Sequence, residues 1–140
     1  MTAWQPGMRI TADRLKTFTP TTTANTGIVT IGADWTLLDE NAVKVSGSAH
    51  IFVRLQRATT NLTADAAGNL ADTTMFTVNA GWRPNTVFGN ERLTFVIADG
   101  FGHGSALLAS DTGVCAAASW IPSQSITTDR WLRIMLTYAV

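Results

Sequence analysis

Regular alternation of apolar and polar residues is the main pattern of this chain after about residue 26. Its clearest example covers residues 48–57, and the same alternation returns in residues 131–140. Because successive side chains of a strand point to opposite faces, each segment is predicted to be a half-buried strand. In the first segment, one face is predicted to carry Ala49, Ile51, Val53 and Leu55, and the other His50, Phe52, Arg54 and Gln56.

Shorter apolar runs, each bounded by turn residues, occupy much of the remaining sequence. These runs are residues 27–31, 35–38, 42–47, 73–79, 92–98, 105–109 and 114–120. Residues 39–41 are predicted to close one strand, and residues 59–72 to form a polar loop. About eight or nine short strands, with a turn signal roughly every ten residues, predict an all-β fold: an antiparallel β-sandwich that resembles a jelly roll.

The first 24 residues differ from this pattern. Residues 10–16 can form one or two helical turns with Thr11 as the N-cap, and a helix that short is not stable alone in water. Residues 19–25 follow as an extended, uncharged connector. We therefore predict an N-terminal docking arm, residues 1–24, and a β-sandwich domain, residues 25–140. Five apolar residues of the arm need a surface on the domain, on a copy of it or on another protein: Trp4, Met8, Ile10, Leu15 and Phe18.

A break between two strand-like runs lies at residues 80–85. Gly81 is expected to permit a turn that a side chain would obstruct, and Pro84 biases Arg83 toward an extended conformation. Trp82 supplies a large ring that can cover the edge of a core. The segment is predicted to be a structural corner, and a binding surface carried by Trp82 and Arg83 is the alternative.

Composition supports the β prediction and excludes several functions. Charged residues make up only 14% of the 140 residues, too few for the wet faces of long helices. The formal net charge is zero, so we expect no nucleic-acid partner and no membrane partner. No bilayer-spanning run and no signal peptide is apparent, which predicts a soluble protein made without secretion. A single cysteine, Cys115, excludes an intrachain disulfide and is predicted to be a small buried side chain.

No catalytic motif is evident. The sequence lacks Gly-x-Ser-x-Gly and His-Glu-x-x-His, and Asp39 and Glu40 are adjacent, so their carboxylates should point apart. Asp99, His103 and Asp111 could converge across a hairpin as a metal or acid-base cluster, although each residue type is common in turns. We therefore predict no enzyme activity, no cofactor and no metal site.

Five tryptophans are more than the core of so short a chain requires. Trp35 and Trp131 fall within strand patterns and are predicted to be core residues. Trp4, Trp82 and Trp120 fall in the arm or in loops, where they are candidates for subunit contacts or for ligand platforms.

Two short motifs resemble known proteins. The opening Trp4-x-Pro6-Gly7-x-x-Ile10-Thr11-Ala12-x-x-Leu15 is similar to the start of small virion proteins of tailed phages and prophages of actinobacteria. The second motif resembles the C-terminal head domains of phage tail fibres and related trimeric β-sandwich modules. It consists of Gly81-Trp82-Arg83-Pro84, a strand, Asp99-Gly100 and a final strand with Tyr138.

The resemblance implies a homotrimer on the virion surface, made in the host cytoplasm and fixed to the particle by its arm. Its partner would be the major capsid protein or a tail protein. The sequence has no shaft repeat between arm and head, which favours a capsid decoration protein or a short tail appendage over a long fibre. Trp82 and Arg83, with the five arm residues, are the predicted subunit or virion interface.

An alternative function is a carbohydrate or cell-wall receptor-binding module that attaches the virion to a host surface glycan. The possible ligand-binding residues are then Trp82, Trp120, Asp99 and His103. A wall hydrolase is a third hypothesis, for which the sequence offers no pair of acids and no set of metal ligands.

Overall fold

The computed structural model describes residues 21–85 and 91–140, and in them the predicted antiparallel all-β fold is confirmed. The only helical element of these residues is a 3-10 turn, η1, at Ala80–Trp82. The strands are β1 (Thr21–Ala24), β2 (Val29–Ile31), β3 (Trp35–Val45), β4 (Ser48–Arg57), β5 (Leu62–Thr63), β6 (Asn69–Val78), β7 (Arg92–Ala98), β8 (His103–Ala109), β9 (Val114–Ser119), β10 (Ser125–Ile126) and β11 (Trp131–Ala139). No helix in the described parts is long and apolar enough to cross a membrane.

Nine of the strands form one curled antiparallel sheet in the order β1-β3-β4-β11-β7-β8-β9-β6-β2, and β5 pairs separately with β10. The chain's last strand, β11, lies in the middle of the sheet, between β4 and β7. It pairs with β4 along its whole length, from Trp131 opposite Gln56 to Ala139 opposite Ser48. The sheet begins at β1, so the last four residues of the predicted arm pair with β3.

The core lies on the concave side of this sheet, and the predicted alternation explains which residues reach it. In β4 the predicted inward set is buried, and the intervening residues are half-buried or exposed. β11 follows the same rule. Fully burying a leucine, isoleucine or valine side chain contributes about 1.5–3 kcal/mol, so these two strands account for much of the apolar stabilisation. Their buried members are Ala49, Ile51, Val53, Leu55, Leu132, Ile134, Leu136 and Tyr138.

The prediction that residues 39–41 close a strand is wrong. β3 runs without interruption through them, with a register shift between Leu37 and Asp39. Glu40 is buried, and its carboxylate accepts hydrogen bonds from three successive backbone amides. The donors are Gly27 N at 2.6 Å, Ile28 N at 3.1 Å and Val29 N at 2.9 Å.

Glu40 thereby joins the two ends of the sheet. It belongs to β3, the second strand in the order, whereas the amides it binds lead into β2, the last strand. A buried carboxylate is tolerated when its oxygens accept hydrogen bonds, as those of Glu40 do. Glu40 therefore lies within a strand, although the local sequence suggested a turn. The side chain therefore helps the sheet to curl over its core.

The predicted polar loop at residues 59–72 is shorter than expected. It contains β5, and β6 begins at Asn69 rather than at residue 73. The Asp65 carboxylate accepts hydrogen bonds from Ala67 N at 2.9 Å and from Asn69 N at 2.8 Å. The pKa of the Asp65 carboxyl group is lowered, mainly because Asn69 donates hydrogen bonds to it. This side chain shapes the turn into β6.

The structural corner at residues 80–85 is present, but one of its expected causes is wrong. A Cβ atom on Gly81 would meet no atom within 4 Å, so the turn does not require glycine. Arg83 is extended, as expected before proline, with φ −65° and ψ 153°. Its Nε donates to Val78 O at 3.0 Å, and the Tyr138 hydroxyl donates to Trp82 O at 2.8 Å. These bonds fasten the corner to the sheet.

Candidate binding surface

The convex face of β3, β4, β11 and β7 carries three neighbouring apolar side chains that we call the apolar row: Phe52, Met135 and Val96. The polar Asn41 ends this row on β3. Asn41 is opposite Phe52, and Phe52 is opposite Met135. Ile134 is opposite Ile97, so the next position of that register brings Val96 beside Met135. Met135 is 73% exposed and Val96 67%. Two large apolar side chains therefore lie uncovered at the centre of the sheet.

An open groove of about 510 Å³ adjoins the apolar row on the side of β1. Phe52 and Met135 form part of its floor, and residues of β1 and β3 form one side. His50 and Thr137 also line it, with Nδ1 of the histidine 3.3 Å from the threonine Oγ1. The groove has a mixed apolar and hydrogen-bonding surface and lies on the face that the core does not use.

Two arginines form the neighbouring cross-strand pair on this convex face. Arg54 of β4 is directly opposite Arg133 of β11. Asp39 lies on the far side of Arg54, with 4.0 Å between the carboxylate and the guanidinium. On the other side, Ala98 is opposite both Arg133 and His103, so an exposed histidine ends the same row. Arg133 forms no ion pair with any residue of 21–85 or 91–140.

Trp131 lies beside this arginine pair and is 43% exposed, so its predicted place in the core is wrong. The ring centroid is 5.4 Å from Arg54 Cζ and 4.6 Å from Arg133 Cζ. The reason is the alternation of β11: Leu132 points inward, so Trp131 points outward with Arg133. Trp35, the other tryptophan predicted for the core, is buried as expected.

A second exposed aromatic residue, Phe101, lies in the hairpin between β7 and β8 and is 78% exposed. The guanidinium of Arg130 is 4.2 Å from its ring centroid. That guanidinium also lies 3.6 Å from the Asp99 carboxylate, which is almost fully buried. The other Asp99 oxygen accepts hydrogen bonds from Phe101 N at 2.8 Å and Gly102 N at 2.7 Å. Asp99 therefore shapes the hairpin and offers little surface to a ligand.

The three residues considered as a metal or acid-base cluster are not brought together. Asp99 lies in the hairpin before β8, His103 is the first residue of that strand, and Asp111 follows its other end. Within the described segments, no group of three or more acidic, histidine or cysteine side chains is placed to hold a metal ion. His103 is exposed instead, at the end of the cross-strand row that contains Arg54 and Arg133.

Of the three tryptophans proposed as ligand platforms, Trp4 lies outside the described residues, and the other two are buried or half-buried. Trp120 is buried, 5% exposed, and so is inaccessible to a ligand in this fold. Trp82 is half-buried, and Lys44 Nζ lies 4.7 Å from its ring centroid. The Arg83 side chain packs over Gly113, where an added Cβ would come within 2.9 Å of the guanidine Nε. These contacts stabilise the corner within one chain.

The five apolar arm residues, Trp4, Met8, Ile10, Leu15 and Phe18, lie outside the described residues, and their docking role stays a prediction.

No protein-family model matches this chain, and no curated protein sequence matches it. Among solved structures, the adenovirus AD35 fibre head resembles it with a TM-score of 0.36 and 13% sequence identity. The alignment covers 84% of this chain and 97% of the fibre head.

Proposed function

We propose that this chain is a structural protein of a phage virion, a trimeric β-sandwich displayed on the particle as a capsid decoration protein or a short tail appendage. Residues 1–24 attach it to the major capsid protein or to a tail protein. The sequence motifs that resemble small virion proteins and fibre heads support the virion part of the proposal. The exposed apolar row supports the assembly part.

The apolar row is the observation that carries the proposal. Isolated exposed hydrophobic residues are common, but Met135 and Val96 are adjacent and continuous with Phe52. Apolar side chains grouped on a surface mark sites of protein association. The row also lies on regular strands, which a second protein surface can cover closely. We therefore place the subunit contact on this convex face rather than on Trp82 and Arg83, whose side chains are engaged within the chain.

A mass measurement in solution tests the assembly. We expect the full chain to have three times the 15.0 kDa mass of one copy by light scattering. Met135→Lys should release monomers, because a charge in the centre of a buried contact is costly. Ala71→Lys is the matched control, since it adds the same charge at an exposed position of β6. A wild-type monomer, or equal masses for both variants, would contradict the proposed contact.

Attachment requires a separate experiment. We expect the full chain to sediment with virions that lack it, and a chain beginning at Thr21 to stay in the supernatant. The truncated chain should still form an assembly of three subunits, because the apolar row is unchanged. Sedimentation of the truncated chain with virions would show that residues 1–20 are not the attachment segment.

The alternative of a carbohydrate-binding module is favoured by a different observation. It cannot use Trp120, which is buried, but Trp131 and the arginine pair form an exposed surface of suitable chemistry.

A further inference from the structure

We propose that Arg54, Trp131, Arg133 and His103 form a binding site for an anionic saccharide, that is, a sugar ring bearing a carboxylate or a phosphate. We call these four residues the basic-aromatic patch. The inference does not depend on virion attachment, because it rests on side chains of one described face.

The opposed arginines are the first reason. Like charges placed directly opposite each other on neighbouring strands destabilise a sheet, and Arg54 faces Arg133 in this way. Asp39 lies at 4.0 Å from Arg54, and Arg133 has no carboxylate partner among the described residues. One anion bound between the two guanidiniums would relieve their repulsion. Guanidinium groups match the two oxygens of a carboxylate or phosphate with paired hydrogen bonds.

The exposed indole is the second reason. Both guanidiniums lie over the Trp131 ring, and the residue is still 43% exposed, so a group bound by the arginines would lie beside uncovered ring surface. Aromatic rings offer an apolar face to the C–H groups of a sugar, and the indole is the largest such face. Phe101 in the adjoining hairpin supplies a second exposed ring. A small inorganic anion would use the arginines alone, whereas a charged sugar uses both features.

His103 extends the patch along the same row. His103 is exposed, and Ala98 lies between it and Arg133 on the intervening strand. The two residues are therefore about two strand spacings apart, roughly 10 Å, and a ligand of that length can contact both. Asp99 does not oppose a negatively charged ligand here, because its carboxylate is almost fully buried against Arg130. Ala98 adds no bulk between Arg133 and His103, which leaves the surface open.

The small size of the patch favours a saccharide over an acidic protein. A standard protein interface uses roughly 20–30 residues on each side, whereas this surface consists of four residues and a neighbouring hairpin. It also lies where β11 begins, beside the apolar row, so the proposed subunit contact leaves it at the rim, where polar side chains remain accessible to solvent. A sugar of one or two rings can satisfy all four side chains.

Calorimetric titration of the full chain tests the proposal with four probes. Alginate carries carboxylates on sugar rings, teichoic acid carries phosphodiesters, dextran is an uncharged polysaccharide, and polyglutamate is an acidic polypeptide. We expect binding to alginate if the recognised anion is a carboxylate, or to teichoic acid if it is a phosphate. We expect no binding to dextran. Binding should weaken as salt is added, because charged contacts at a surface are screened.

Three variants make the test specific. Arg133→Gln should weaken binding about tenfold, since it removes a charged hydrogen-bond donor. Trp131→Ala should weaken it about fivefold by removing the ring contact. Arg92→Gln, at an exposed position at the far end of β7, is the matched control and should bind as wild type. Thermal melting and light scattering of each variant confirm that fold and subunit number are unchanged.

Several results would overturn the proposal. Binding to neither anionic polysaccharide, or equal binding to dextran, would contradict it. Stronger binding to polyglutamate would assign the patch to an acidic protein. If Trp131→Ala bound the anionic polysaccharide as tightly as wild type, binding would depend on charge alone. If Trp131→Ala had a different number of subunits, the ring would belong to a contact between copies.

Discussion

Arg54 and Arg133 lie directly opposite each other on β4 and β11, two positive charges on one face of the sheet. The Trp131 ring stands beside both of them. Opposed like charges are unfavourable in a sheet, and here the Asp39 carboxylate beside Arg54 and the Trp131 ring beside both guanidiniums offset part of that repulsion.

Reversing one of these charges should stabilise the fold. In Arg133→Glu, the opposed pair becomes an ion pair, and we expect the free energy of unfolding to rise by about 0.5–1 kcal/mol at low salt. Urea denaturation measures this change. Arg92→Glu is the control for a general effect of net charge. A loss of stability in Arg133→Glu would show that its contact with Trp131 outweighs the repulsion between the arginines.

The Glu40 carboxylate should be among the most important side chains for stability. Glu40→Ala leaves the buried amides of Ile28 and Val29, and the partly buried amide of Gly27, without their acceptor. We expect a loss of about 3 kcal/mol in the free energy of unfolding, because buried donors without partners are costly. Asp39→Ala removes the neighbouring, more exposed carboxylate and should change stability by less than about 1 kcal/mol. Equal losses in the two variants would contradict a special role for Glu40.

Local sequence patterns predicted much of this fold and little of its binding surface. Alternation identified which residues of β4 face the core, since a strand's periodicity is a local property. The role of Glu40 was not predictable, because its partners are more than ten residues away and depend on how the sheet curls. The curl also joins into one sheet the strands that alternation alone would divide between two.

The wrong prediction for Trp131 has another cause, because the alternation of β11 already indicated an outward position. Trp131 alternates with Leu132 and shares the outward positions of β11 with Arg133 and Met135, but its position within a strand pattern suggested the core. The opposition of Arg54 and Arg133 required the pairing of β4 with β11, which lie far apart in the chain. The basic-aromatic patch therefore appears only when the register is known.

Cys115 should make the protein less stable at alkaline pH. Burial raises the pKa of its thiol to about 12, from an ordinary value of 9.0. Between these values the unfolded chain loses the thiol proton while the folded chain keeps it, so the free energy of unfolding falls as pH rises from about 9 toward 12. Denaturation at pH 8 and at pH 10 measures the change. Cys115→Ala should show a smaller decline, and an identical decline would exclude the thiol as a cause.

The Tyr138 hydroxyl should hold the corner at residues 80–85 against the last strand. It is the donor to Trp82 O at 2.8 Å, while the edge of its ring meets Phe95 with 6.2 Å between centroids. Tyr138→Phe keeps the ring and removes the hydrogen bond, so we expect a loss of about 1 kcal/mol in the free energy of unfolding. Backbone amide exchange should also become faster at Trp82 and remain unchanged at Leu55 in the core of β4. If exchange were equally slow at both positions in the variant, two other hydrogen bonds, from Arg83 Nε to Val78 O and from Lys44 Nζ to Gly81 O, would be sufficient to fix the corner.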